Sequence, residues 1–415
     1  MTVSSGGQWS LSSNLAVGDG GTGSLTIGDG GLVAVRSELR RGANGTIILN
    51  AGGTLQIGTG TNTGTLLGGT GSLANNGTLV FNRSNASTYT GVLSGSGAVT
   101  KLGAGQLTLG GANSYTGGTV VSAGSLVGTT TSLQGAITNN AAVTFDQSTN
   151  GTYSGAMSGS GSLSKTGISR LSLSGSSSYN GATAVSAGDL NLSGGSIASS
   201  AVTVASGASL SGYGSVGTIG GAGAINPGNS PGILTTPQVN PSGETDFNLE
   251  MTGTAPTYNN ASNSVNDVIR ITGLTPFSAP LAAGNGINIY FSGDALFTGS
   301  PKTITGGFFT DQSASFAGFI TNAMYNYYFA NAIGTNSYNG ANYYSKAQYE
   351  TAVLSSNLMT ITITTVARAS DFGSGNVNGQ VMQIDVIPEP STYALLVLAV
   401  IGLGAQCWRR GRKVA

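Results

Sequence analysis

The chain has 415 residues, of which 69 are glycine and 7% are charged, with 15 cations against 15 anions and one cysteine, Cys407. The absence of histidine excludes Ser-His-Asp and Cys-His catalysis and every His-based metal site. Up to residue 387 the balance is 11 cations (15 less four) to 14 acids (15 less one), so no basic patch is available for a nucleic acid.

A glycine-rich, weakly charged chain invites a disordered reading, but Leu, Val and Ile recur in short alternating runs, the signature of half-buried strands separated by turns. Residues 1–9, MTVSSGGQW, carry neither a cationic start nor an apolar run, so a secretory signal peptide is expected to lie upstream of them. In LAVGDGGTGSLTIGDGGLV, residues 15–33, Leu25 stands where a calcium-binding nonapeptide repeat needs Asp, which leaves Asp19 and Asp29 as turn residues. Matches to GxGxxG are expected by chance in a chain this rich in glycine, and no strand–helix unit supports a dinucleotide site.

Residues 75–126 repeat as 139–190, an offset of 64 with about half of the aligned positions identical. The best-matched parts are GSGAVTKLGAGQLTLGGANSYTGGTVVSAGSL from Gly95 and GSGSLSKTGISRLSLSGSSSYNGATAVSAGDL from Gly159. Neither copy carries enough apolar surface to fold alone. Coils of roughly 20 residues stacked in parallel would bury a continuous column of Leu, Val and Ile, about 11 coils in all.

These copies resemble the autotransporter-associated β-strand repeat. Its Lys-x-Gly-x-Gly-x-Leu-x-Leu-x-Gly-x-x-x-Tyr-x-Gly-x-Thr core is met in full from Lys101 to Thr119, and the second copy keeps Lys165, Gly167, Leu171, Leu173, Gly175, Tyr179, Gly181 and Thr183 with Ser169 at one glycine. The resemblance implies a passenger-type β-helix over about residues 10–234. INPGNSPG, residues 225–232, resembles the turn that follows such repeats, and its two prolines should interrupt regular coiling.

Beyond it aromatic residues increase, and runs such as VIRI (268–271) and LMTITI (358–363) read as longer strands of a β-rich cap. Glu244, Asp246 and Glu250 are spaced so that they share one strand face, either a solvated face opposite a buried Phe247 and Leu249 or a small acidic site. Seven tyrosines fall within residues 325–349; among them Tyr327, Tyr328, Tyr343 and Tyr344 are candidate glycan contacts, since exposed rings stack on sugars. The alternative is that these rings fill a small core.

The chain closes on Pro388-Glu389-Pro390, the 18 uncharged residues 391–408, and then Arg409, Arg410, Arg412 and Lys413. At about 1.5 Å per residue the apolar stretch reaches roughly 27 Å, the short end of a membrane span. Tyr393 and Trp408 lie near its interfaces, and the cations hold the terminus in the cytoplasm. This order resembles the PEP-CTERM sorting signal. That resemblance implies export, transient residence in the inner membrane, processing by an exosortase-type enzyme near Pro388, Glu389 and Pro390, and release to a cell surface or matrix of a Gram-negative-type bacterium rich in exopolysaccharide.

The expected architecture is all-β: a parallel β-solenoid (β-helix) rod over residues 1–234, a β-rich C-terminal cap over 235–386, and a sorting signal over 387–415 with a single C-terminal membrane helix at 391–408. The expected role is that of a non-enzymatic surface or matrix protein of adhesin type, needing no cofactor or metal and making contact with exopolysaccharide. A carbohydrate-active β-helix enzyme, or a carbohydrate-binding module in the cap, is the alternative.

Overall fold

The computed structural model describes residues 1–67, 72–228, 232–242 and 245–251, together with strands at 268–271, 286–291, 302–310, 324–330, 336–338, 341–345, 359–367 and 380–388. Every described element is a strand or short bridge, and no described helix is long and apolar enough to cross a membrane. The expected membrane helix at 391–408, Glu389, Pro390, Arg409, Arg410, Arg412 and Lys413 lie outside the described residues. Pro388 ends the strand Gln380–Pro388.

Chain contacts divide the molecule into one unit of residues 1–226 with 234–245, and a second of 227–233 with 246–415. The first is a right-through parallel solenoid of about 12 turns, close to the 11 expected from repeat length. Successive coils pair in parallel with steps near 20 residues, as in Ser72↔Val92, Ser87↔Leu107 and Ala142↔Ser162. The step lengthens to 27 for Glu38↔Thr65 and shortens to 15 for Ser209↔Ala224. The coils line up into sheets of five, eight and nine strands, with a three-stranded sheet among the first coils.

Alternation decides which residues enter the core. On the eight-stranded sheet the inward column runs Val33, Leu55, Leu79, Val99, Thr119, Ile137, Met157; on the nine-stranded sheet it runs Leu107, Leu126, Val143, Leu163, Thr183, Val202, Ile219, Val239. All of these are buried. Fully burying such a side chain contributes about 1.5–3 kcal/mol, so the columns are the main source of stability in a unit without disulfides.

Corners are built from small residues because coils meet backbone to backbone. A Cβ on Gly105 would overlap the carbonyl oxygen of Asn85 one coil away, so the motif glycine is there for clearance. The second copy has Ser169 at that place and keeps the same corner bond: Gly105 N donates to Arg83 O at 3.0 Å, and Ser169 N donates to Gln147 O at 3.1 Å. Pro227 ends its strand, and pairing resumes with Gly214↔Leu234 and Ile219↔Val239.

The 64-residue duplication is not a whole number of coils. Ala98–Lys101 lies in the eight-stranded sheet, yet its copy, Ser162–Thr166, lies in the nine-stranded sheet. Counting rungs back from Ser162 through Ala142 and Ser125 reaches Gln106 after three coils, one strand beyond Ala98. The two copies therefore present corresponding residues on different faces of the solenoid.

In the second unit, strands Asp246–Met251, Gly286–Phe291 and Met324–Ala330 pair in parallel. Lys302–Thr310, Gln380–Pro388 and Met359–Ala367 form an antiparallel set. Phe247 and Leu249 are buried and Asp246 is exposed, while Glu244 lies outside the described residues.

Candidate functional site

The residues that define the repeat point inward. Lys101 shares the inward column of Phe81 and Val121, and Lys165 that of Phe145 and Val185. Both are buried, Lys165 completely. Lysine is almost never fully buried unless its ammonium is satisfied, and here it is. Lys165 Nζ donates to the carbonyls of Thr166 and Gly167, each at 2.8 Å, and to Ala187 on the next coil at 3.0 Å. Lys101 Nζ donates to Gly103 O and, at 3.0 Å, to Ala123 O on the next coil. Each lysine thus clasps two successive corners. Burial pushes both ammoniums below the usual lysine range; for Lys165 the carboxylates of Asp189 and Asp146 push the other way.

The tyrosine and threonine of the motif form a second clasp. Tyr115 and Tyr179 are buried, and their hydroxyls meet the Thr119 and Thr183 hydroxyls at 2.7 and 2.6 Å. Thr183 passes the chain on to Ser200 at 2.7 Å, whose Oγ donates to Gly181 O at 2.7 Å. This explains why a threonine interrupts each apolar column: its hydroxyl satisfies a phenol that would otherwise be buried without a partner. The corresponding pairs Phe81–Tyr89 and Phe145–Tyr153 also recur, with ring centroids 6.1 and 5.1 Å apart. Asn75 and Asn139 each donate across a coil, to Ala98 O at 2.9 Å and Ser162 O at 2.8 Å.

Three carboxylates of the solenoid, Asp19, Asp146 and Asp189, are already engaged. Asp189 accepts from Arg170 Nε at 2.7 Å and from Ser209 and Ser211 at 2.8 Å, and Asp146 accepts from Thr166 at 3.0 Å. Asp19 pairs with Arg40. A cavity of about 370 Å³ beside Val17, Thr22 and Leu25 offers Asp19 as its one carboxylate. Among the described residues no three His, Cys, Asp or Glu side chains gather as metal ligands.

Of the candidate glycan contacts, Tyr327 and Tyr328 fall on the strand Met324–Ala330, and Tyr343 and Tyr344 on Ala341–Ser345 beside it. The antiparallel register sets Tyr344 opposite Phe329 and Tyr343 opposite Ala330.

These coils define a class, the parallel β-solenoid with inward lysine and tyrosine clasps, and parts of it are similar to passenger repeats. The model of the passenger-associated-transport-repeat matches residues 99–127 and 163–207. A stretch of 82 residues is 43% identical to the adhesin BmaC autotransporter of Brucella suis biovar 1 (strain 1330); it makes up 19% of this chain and 2% of that adhesin. No solved structure matches the chain.

Proposed function

We propose that this chain is the exported, surface-displayed β-solenoid of an adhesin-like protein, sorted by its PEP-CTERM signal and held in an exopolysaccharide matrix, with no catalytic role. The observation that carries the reading is the inward placement of the repeat's defining residues. Lys101, Lys165, Tyr115 and Tyr179 build the shaft, and the outside is mostly Ser, Thr, Asn and Gly, with Ile168, Asp146 and Arg170 among the exceptions. Similarity to an autotransporter adhesin supports surface display. The Asp189 and Asp146 carboxylates, locked by neighbouring donors, lack the free, paired arrangement a glycosidase uses.

Expressed behind a signal peptide in a host with an exosortase-type enzyme, the full chain should appear at the cell surface shortened near Pro388. A chain ending at Ile387 should remain in the periplasm or medium, and unchanged surface display would contradict the sorting role. Incubating the purified chain with a panel of polysaccharides should release no reducing ends or unsaturated uronates. If Tyr327, Tyr328, Tyr343 and Tyr344 contact glycan, replacing all four with Ala abolishes co-sedimentation with exopolysaccharide.

A further inference from the structure

Among the described residues asparagine precedes glycine at four places, 44–45, 76–77, 150–151 and 180–181, and all four asparagines are exposed. Bonding separates them. Asn76 Oδ1 accepts from Ser96 N at 3.0 Å and Ser96 Oγ at 3.3 Å, and Asn150 Oδ1 accepts from Arg170 N at 2.9 Å. Gly45 N, which follows Asn44, donates to Gly42 O at 3.0 Å. Asn180 is held through its backbone alone, its N donating to Gly159 O at 3.1 Å. Its carboxamide bonds to no described residue, and Gly181 N–H donates to no described carbonyl.

The two residues of this corner differ in necessity. Gly181 is required, because a Cβ there would overlap Gly161 O on the preceding coil. Asn180 is not required. The first copy has Thr116 and Gly117 at the same corner, and Thr116 N donates to Gly95 O at 2.9 Å just as Asn180 N does to Gly159 O. Packing thus keeps an unshielded glycine amide after an asparagine whose side chain has no task in the fold.

We propose that Asn180 is a self-modification site, where the Asn180–Gly181 corner deamidates without an enzyme. Gly181 N attacks Asn180 Cγ and closes a succinimide ring; the Gly181 amide proton passes to water, the departing nitrogen takes one up, and ammonia leaves. Water then adds to one of the two ring carbonyls and breaks its bond to nitrogen, leaving aspartate or isoaspartate. A free amide and a rotatable carboxamide reach attack geometry without first breaking a bond, which the other three sites must do. Either product puts a carboxylate next to Tyr179 in the chain, and isoaspartate lengthens the backbone between Tyr179 and Gly181. This corner lies against Gly161 and joins Tyr179 to Thr183, whose hydroxyls meet at 2.6 Å, so the longer path loosens the second tyrosine clasp while the first does not age.

The full chain, kept for days in mildly alkaline buffer below the range where its phenols ionise and then digested for mass spectrometry, is expected to exchange ammonia for water at Asn180 first. The folded chain should react there about fivefold faster than at Asn44, Asn76 or Asn150, the rate equivalent of one hydrogen bond of about 1 kcal/mol. In urea the four rates should converge. Asn180→Thr should fold normally, as the first copy does with threonine, and after ageing should outlast wild type in a urea titration. An Asn180 that stays intact in the folded chain, or equal rates at the four sites there, would overturn the proposal. Wild type converted at Asn180 yet unfolding at the same urea concentration as fresh protein would overturn the loosening of the clasp. These readouts need neither export nor glycan, so they stand apart from the sorting experiment.

Discussion

Replacing Lys165 with Ala is expected to lower stability by about 3–5 kcal/mol, more than most surface changes in this solenoid. The substitution empties a column position between Phe145 and Val185, and it removes the donor that satisfies Thr166, Gly167 and Ala187. A cavity left by a long side chain and the loss of partners for buried carbonyls each contribute about 1–3 kcal/mol or more. Lys165→Met separates the two contributions. Methionine refills the column without donating, and it also relieves the desolvation of a buried ammonium. It should therefore recover part of the loss and remain about 1–3 kcal/mol below wild type, because Gly167 O and Ala187 O lose the ammonium, while Thr166 O keeps Gln147 N. Urea unfolding followed by circular dichroism measures both variants; a Met variant as stable as wild type would mean that the clasp contributes nothing beyond volume.

Alkali should unfold the solenoid in a defined window. Burial raises the phenols of Tyr89, Tyr115, Tyr153 and Tyr179 above the ordinary value of 10.0, with the Thr hydroxyls opposing this at Tyr115 and Tyr179 and Tyr89 reaching about 12. A tyrosine that holds its proton more tightly folded than unfolded leaves stability unchanged below about pH 10 and withdraws it as pH rises through the folded value. For Tyr89 alone the gap between 10.0 and about 12 is worth about 2–3 kcal/mol. The two buried lysines act in the opposite sense: their protons are held less tightly in the fold, so their contribution grows with pH until about 10.5. Four tyrosines outweigh two lysines, and the net expectation is a cooperative loss of β signal between about pH 10 and 12 in step with tyrosinate absorbance. Ionisation of these four phenols near pH 10 in an intact fold would contradict their burial.

Much of the solenoid was legible because each cause is local. The alternation of Leu107-Thr108-Leu109 and Leu171-Ser172-Leu173 marks strands burying one face, and all four leucines are buried. A repeat near 20 residues gives the coil. The phase of the duplication was not legible, because it depends on coils whose steps shrink to 19, 18 and 17 residues between Gln106 and Ile137 or Ala142. Identical sequence then lands on different sheets. The direction of the motif lysines was hidden for a different reason: composition treats lysine as a surface residue, and only the converging corner carbonyls make its burial favourable. The partners of Asp189 were also invisible, since Arg170, Ser209 and Ser211 approach it from neighbouring coils rather than along the chain.

The central claim is that the repeat's defining residues form the inside of a parallel solenoid. Amine acetylation of the folded full chain, read residue by residue by mass spectrometry, tests it directly. Lys101 and Lys165 should remain unmodified in the folded chain and react only once it is unfolded in urea. Acetylation of either residue in the folded chain as fast as in urea would contradict the account.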